Sequence, residues 1–174
     1  MNNTLILRNL IRAVFLMAIQ VLVLNQINLG GVSFNYISIF LYPVFLMFLP
    51  MSTPTWLMLF IGFVYGYCID IFSNTLGMNA ATCVFTAYLR SGLLMLLEPQ
   101  GGYKDGISPT RKKMGFLLFF RYAAIFIFLH IFFFCCVEEF TLLYIVKILK
   151  KTIPSYIISM VLVMIYSFLF DPSE

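Results

Sequence analysis

From Met114 to Val137 the chain carries Arg121 and His130 as its only charged or imidazole side chains, set in a nearly continuous series of Phe, Leu, Ile and Ala. A helix over that stretch would rise about 36 Å at 1.5 Å per residue, enough to cross a hydrocarbon layer of about 30 Å. The rest of the chain matches it. With 62% hydrophobic residues, 10% charged and a mean hydropathy of +0.99, it lacks the polar surface of a soluble domain, which is roughly a quarter charged. The expectation is an all-α integral membrane protein. Apolar stretches at about 10–29, 34–49, 54–71, 76–97, 114–137 and 154–170 predict a bundle of six transmembrane helices that forms one polytopic domain over 1–174.

The first stretch follows Arg8 and Arg12 and is too long for a cleaved leader; without an Ala-x-Ala site it reads as a retained span. Gly30, Gly31 and Ser33 turn the chain into the second span, where Pro43 predicts a kink. Pro50, Ser52, Thr53 and Pro54 close a tight turn, and Ser73, Asn74 and Thr75 offer caps for the fourth helix. Beyond Glu98, Pro99, Gly101, Gly102, Gly106 and Pro109 break structure while Lys104, Arg111, Lys112 and Lys113 add charge, which makes 98–113 the longest hydrophilic loop. The segment 141–151 alternates aliphatic residues with Lys147, Lys150 and Lys151, the pattern of an amphipathic helix at the membrane surface.

Lysine and arginine in short loops orient membrane proteins. Six spans place both termini and the 98–113 loop on one side, together with Arg8 and Arg12, and that side is expected to be cytoplasmic. Lys147, Lys150 and Lys151 fall on the other side and oppose the assignment. The same parse separates Asp70 from Arg90 by about 20 Å of helix rise, too far for an ion pair. Arg90 and Arg121 are expected at similar inner depth, snorkelling to headgroups or sharing an anionic lipid or a partner carboxylate.

Little in the chain suggests chemistry. Cys68, Cys83, Cys135 and Cys136 form no Cys-x-x-Cys pair and have one histidine, His130, to share a metal with, so they read as packing residues with no metal, disulfide or cofactor. His130, inside the fifth span, is placed to hydrogen-bond a hydroxyl across the bundle. No phosphate loop, zinc helix or nucleophile elbow occurs, and Asp70 is the only acid within the core spans. Basic residues never interleave with exposed aromatics, so nucleic acid is not an expected partner.

One pattern does stand out: Gly62, Gly66 and Asp70 recur at four-residue spacing in Gly62-Phe-Val-Tyr-Gly-Tyr-Cys-Ile-Asp70. On a helix they share one face. Two glycines one turn apart let another backbone approach, and a carboxylate one turn further must find partners at that contact.

Leu41-Tyr-Pro-Val, Leu49-Pro50, Gly62-Phe63-x-x-Gly66-x-x-x-Asp70, Leu76-Gly77, Ala80 and Ala87-Tyr88-Leu89, in that order, resemble the MreD family of rod shape-determining proteins. The resemblance covers about residues 41 to 89, and Gly62, Gly66, Asp70, Leu76 and Gly77 carry its core. It implies a non-enzymatic subunit of the bacterial plasma membrane, without cofactors. Its implied partners are an MreC-like single-span protein, membrane lipids and, indirectly, MreB-like filaments and the elongation polymerase and transpeptidase. The family is similar in fold to the six-helix substrate-binding subunits of energy-coupling-factor vitamin transporters, which supplies a rival function. Against that rival, the outer half of the spans offers mainly Asp70, Asn74, Asn79, Glu138 and Glu139 to a polar ligand.

Overall fold

A computed structural model describes residues 3–26, 37–98, 102, 108–140 and 142–170. The expected turn at Gly30, Gly31 and Ser33, the start of the second span and most of the 98–113 loop lie outside the described residues. The chain is all helical, with no strand among those residues: α1 Asn3–Leu22, α2 Pro43–Phe48, α3 Thr55–Ser73, α4 Met78–Leu96, α5 Arg111–Met114, α6 Phe116–Glu139 and α7 Ile145–Leu169, with short 3-10 turns at Leu24–Gln26 and Leu142–Tyr144. Four stretches are long and apolar enough to cross a membrane: Leu7–Gln26, Thr55–Ser73, Phe116–Glu139 and Ile145–Leu169. Helix α4 matches α3 in length but buries Asn79, Thr82, Thr86 and Arg90. It lies inside the molecule, packed against α3 on one side and α6 on the other, and α6 in turn packs on α7.

The second stretch is not the kinked helix expected over 34–49. Residues 37–41 carry no helix, and α2 begins only at Pro43 and runs for 6 residues, all buried. Proline has no N–H to give and its ring crowds the preceding turn, so it fits the first turn of a helix far better than the middle. The non-helical backbone ahead of it then needs partners from elsewhere. Ser38 N and Phe40 N donate to the Oγ atoms of Ser155 and Ser159 on α7, at 3.0 and 2.9 Å. Gln20 on α1 accepts from Leu41 N at 2.9 Å and donates to the Ile39 carbonyl at 2.8 Å. Irregular backbone at this depth is tolerable because protein, not lipid, surrounds it.

The separate surface helix over 141–151 is also absent. One helix, α7, runs from Ile145 through Pro154 to Leu169. Ile148 is buried while Ile145, Val146 and Leu149 stay exposed, so the alternation read as a separate surface helix is the first part of the last long helix, anchored at one packed position. Its lysines reach the end of α6: Lys147 Nζ lies 2.9 Å from Glu139 Oε2 and Lys151 Nζ 2.6 Å from Glu138 Oε1. The first helix, too, is displaced, beginning at Asn3 rather than near residue 10.

The two ends of the bundle differ in charge. Arg12 lies over the Phe48 ring at 5.5 Å, Arg90 bonds the Leu49 carbonyl, and Arg111 lies over Phe168 at 4.3 Å, so these arginines gather at one end with Lys112, Lys113 and Arg121. At the opposite end Glu138 and Glu139 balance lysines of α7.

Candidate functional site

The hairpin of α3 and α4 explains the glycine spacing. A Cβ on Gly66 would lie 2.6 Å from both Ala80 Cα and Asn79 O and 2.8 Å from Ala80 N, all rigid backbone, so α4 passes over Gly66 with no room for a side chain. At Gly62 the approach is looser, with Cys83 O at 3.1 Å and Ala87 Cβ at 3.3 Å. One turn beyond Gly66, the buried Asp70 carboxylate meets the start of α4. Its Oδ1 accepts from Asn79 N at 3.0 Å, Asn79 Nδ2 at 3.0 Å and Thr75 Oγ1 at 2.5 Å; Oδ2 accepts from Ala80 N at 2.8 Å.

Asp70 is therefore the N-cap of a helix it does not belong to. The first N–H groups of a helix have no partner of their own and carry the positive end of its dipole, so a carboxylate there is doubly favoured. Gly77, which precedes α4, has no side chain to cap with; its φ of +82° is the left-handed conformation glycine adopts freely. Of the expected caps, Thr75 bonds Asp70, Ser73 Oγ accepts from Asn25 Nδ2 at 2.8 Å, and Asn74 ends α3 with φ +52°. Leu76 is fully exposed on the turn.

From Asp70 a line of buried polar groups crosses the bundle. Tyr42 Oη lies 2.8 Å from Asn79 Oδ1 and 2.8 Å from His130 Nε2, while His130 Nδ1 lies 3.2 Å from Thr86 Oγ1. The directions can be assigned from one end. Both Asp70 oxygens accept from N–H groups, which turns the Asn79 amide nitrogen towards them and leaves Oδ1 for Tyr42. The phenolic proton is spent there, so His130 Nε2–H donates to Tyr42 and Nδ1 faces the Thr86 hydroxyl, whose proton also reaches the Thr82 and Cys83 carbonyls at 2.9 and 3.2 Å. His130 thus bonds the hydroxyls of two different elements, the stretch leading into α2 and α4, with both ring nitrogens engaged.

The same region borders a cleft of about 500 Å³ lined by Gln20, Asn25, Gln26, Ser38, Tyr42, Ser73, Asn74, Thr75 and Asn79 among apolar residues such as Phe40, Phe72 and Phe134. This is more polar than the sequence reading allowed. The polar residues at the far end of the first span, Gln20 and Asn25 among them, are legible in the sequence as meeting headgroups or another helix, but their convergence with Tyr42 is not, because nothing in a single span shows that the end of α1, the non-helical stretch and the α3–α4 turn come together. Most of the polar side chains are already occupied: Gln20 Nε2 donates to Asn25 Oδ1 at 2.9 Å, and Tyr42, Ser73, Thr75 and Asn79 are engaged as above. Among the described residues no three His, Cys, Asp or Glu side chains come together as metal ligands, and all four cysteines are free thiols.

The two arginines expected to share a depth have different surroundings. Arg121 is exposed on α6. Arg90 does not snorkel: it is 3% exposed, with Nη2 bonded to the Leu49 carbonyl and Nε buried without a partner. The end of α2 leaves carbonyls unpaired, and Arg90, with Tyr122 Oη on the Met47 carbonyl at 3.3 Å, supplies donors to them.

Taken together, fold and site define an all-helical protein with helices suited to a membrane and a buried hairpin clasp at one end. Comparison with family models, curated proteins and solved structures finds no match for this chain.

Proposed function

We propose that this chain is a non-enzymatic membrane adaptor of the bacterial cell-elongation machinery, as its resemblance to the MreD family implies. One observation carries the reading beyond that resemblance: Gly62, Gly66 and Asp70 are spent on clasping α3 to α4, and none of them is left aimed at a substrate. A rigid clasp suits a part whose work is to hold others. Outward faces of α3 and α6 present Phe60, Phe63 and Tyr67, and Phe116 and Phe120, to whatever lies alongside, and an MreC-like single-span helix is the proposed occupant. Through it the adaptor would connect MreB-like filaments with the wall polymerase and transpeptidase.

In this reading the chain is a six-span bundle of the plasma membrane, with α4 and the stretch from residue 37 through α2 as the crossings beyond the four apolar ones. The arginine-rich end then faces the cytoplasm with both termini, and the lysines opposite are offset by Glu138 and Glu139. Photocrosslinkers at Phe63, Tyr67 and Phe120 in native membranes test the assignment. Adducts with a single-span wall-synthesis protein are expected; the absence of any protein adduct would overturn it.

The polar cleft favours a second reading, a substrate-binding transporter subunit. Its polar side chains mostly satisfy one another, which is why it ranks second. A small molecule released on denaturing the purified protein, with no protein adduct at any position, would reverse the order.

A further inference from the structure

The polar cleft beside Asp70 has a closed inner wall and an open rim. Gln20 holds Ile39, Leu41 and Asn25, and Asn25 donates to Ser73 Oγ, so the end of α1, the non-helical stretch and the end of α3 are tied into one surface. The rim differs. Gln26, on the 3-10 turn after α1, and Asn74, at the end of α3, both line the cleft and are exposed, and neither side chain makes a hydrogen bond among the described residues. The Ser38 hydroxyl has no partner there either, and Phe72 lines the same space, 64% exposed and without a ring contact. A wall whose groups already satisfy one another needs no further ordering, and the rim still has hydrogen bonds to give, which together make a preformed site.

The lining sets the chemistry of an occupant. At about 500 Å³ the space falls within the range of about 300–1,000 Å³ usual for small-molecule sites. No lysine, arginine, histidine, aspartate or glutamate lines it, so an ionic ligand would give up water without meeting an opposite charge. The neighbouring Asp70 does not supply one, because both its oxygens are taken up by Thr75, Asn79 and Ala80. A wholly apolar ligand fits no better, since it would cover Gln26, Asn74 and Ser38 and leave them unpaired. An uncharged molecule rich in hydrogen-bonding groups meets both conditions. The side-chain amides of Gln26 and Asn74 match an acetamido group donor for acceptor and acceptor for donor, Ser38 matches a hydroxyl, and the Phe72 ring offers a flat apolar face to the C–H side of a pyranose.

We infer that the cleft binds a neutral sugar bearing acetamido and hydroxyl groups, held by Gln26, Asn74 and Ser38 with its ring against Phe72. The inference rests on neither functional reading, since an adaptor and a transporter subunit can each carry such a site. It is tested on the full chain in phosphatidylcholine nanodiscs, which contain no sugar headgroup, by saturation-transfer NMR with N-acetylglucosamine and its β-1,4-linked trimer as probes. Saturable binding is expected, with a Kd of about 1 mM or tighter for the trimer. A trimer that binds more tightly than the monomer marks a glycan segment as the source and equal binding marks a free sugar; either result supports the site. Cationic glucosamine and anionic N-acetylmuramic acid should each bind about tenfold more weakly than N-acetylglucosamine, for want of an opposite charge. Phe72→Ala should weaken the trimer about fivefold or more. So should Gln26→Ala with Asn74→Gly, where glycine suits the φ of +52° at that position, while Trp56→Phe, outside the cleft, should change nothing. No saturable binding of either probe to the wild-type protein would overturn the site, and this arm needs no variant to fold. Glucosamine or N-acetylmuramic acid binding as tightly as N-acetylglucosamine would overturn the ligand class, and unchanged affinity in the Gln26→Ala, Asn74→Gly protein would overturn the location.

Discussion

Replacing Gly66 by alanine puts the hairpin clasp to its strictest test. The added Cβ would sit 2.6 Å from Ala80 Cα and Asn79 O, whereas ordinary contact begins at 3.4 Å, so α3 and α4 must part by roughly 0.8 Å at that level. No flexible side chain can yield in their place. The displacement reaches Asp70 one turn away, where Ala80 N and Asn79 N bond the carboxylate at 2.8 and 3.0 Å and would be drawn out of range. Overpacking alone costs about 1–3 kcal/mol, and each weakened bond to a charged acceptor adds about 1.5–3 kcal/mol. A loss of about 4 kcal/mol or more is therefore expected. Gly62→Ala supplies the control: its contacts of 3.1 and 3.3 Å ask for a few tenths of an ångström, a strain that the gain of about 0.5–1 kcal/mol from removing a helix-interior glycine can offset. The assay is unfolding in mixed micelles as the fraction of denaturing detergent rises, followed by far-ultraviolet circular dichroism. If Gly66→Ala and Gly62→Ala unfold together, the close crossing at Gly66 is not what holds the hairpin.

Asp70→Ala should cost about 3 kcal/mol or more in the same assay, since it strips a buried cap from two backbone N–H groups and two side chains; combined with Gly66→Ala its effect should be much less than additive, and full additivity would separate the two residues. Tyr42→Phe leaves Asn79 Oδ1 and His130 Nε2 without their shared partner and should destabilise by about 2–4 kcal/mol, whereas His130→Gln, which keeps a donor, should recover part of the loss seen for His130→Leu. Ser155→Ala with Ser159→Ala should expose the Ser38 and Phe40 amides to faster hydrogen exchange while exchange in α3 stays unchanged. Lys147→Ala should shift stability by less than about 1 kcal/mol, because its pair with Glu139 is half exposed; a larger loss would mean that the end of α7 depends on charge rather than on burial of Ile148.

Periodicity and composition carry the long elements well, and for a physical reason: in lipid, a run such as Phe116–Glu139 has one way to satisfy its backbone, which is a helix. The reasoning fails where protein replaces lipid as the surroundings. Residues 37–41 look as apolar as any span, yet they are not helical, because Gln20, Ser155 and Ser159 from helices far away in sequence provide the hydrogen bonds a helix would have made for itself. Lys147, Lys150 and Lys151 look like a surface face because the partners of two of them, Glu138 and Glu139, lie beyond an intervening turn.

The same distinction separates the parts of the site. Gly62, Gly66 and Asp70 form a local pattern whose geometry follows from helix spacing alone, so the sequence already places them on one face. What they face is not local. That Asp70 caps α4 becomes visible only when Gly77 is seen to bring Asn79 and Ala80 back over Gly66, and that Arg90 is buried only when α2 is seen to end against it. A carboxylate and a guanidinium, both on buried helix faces, thus meet opposite conditions: one has its acceptors filled from within the chain, and the other keeps donors that the chain does not fill. Asp70 is thus where the α3–α4 hairpin is held, whereas Arg90 spends one donor on the end of α2 and leaves its Nε unpaired.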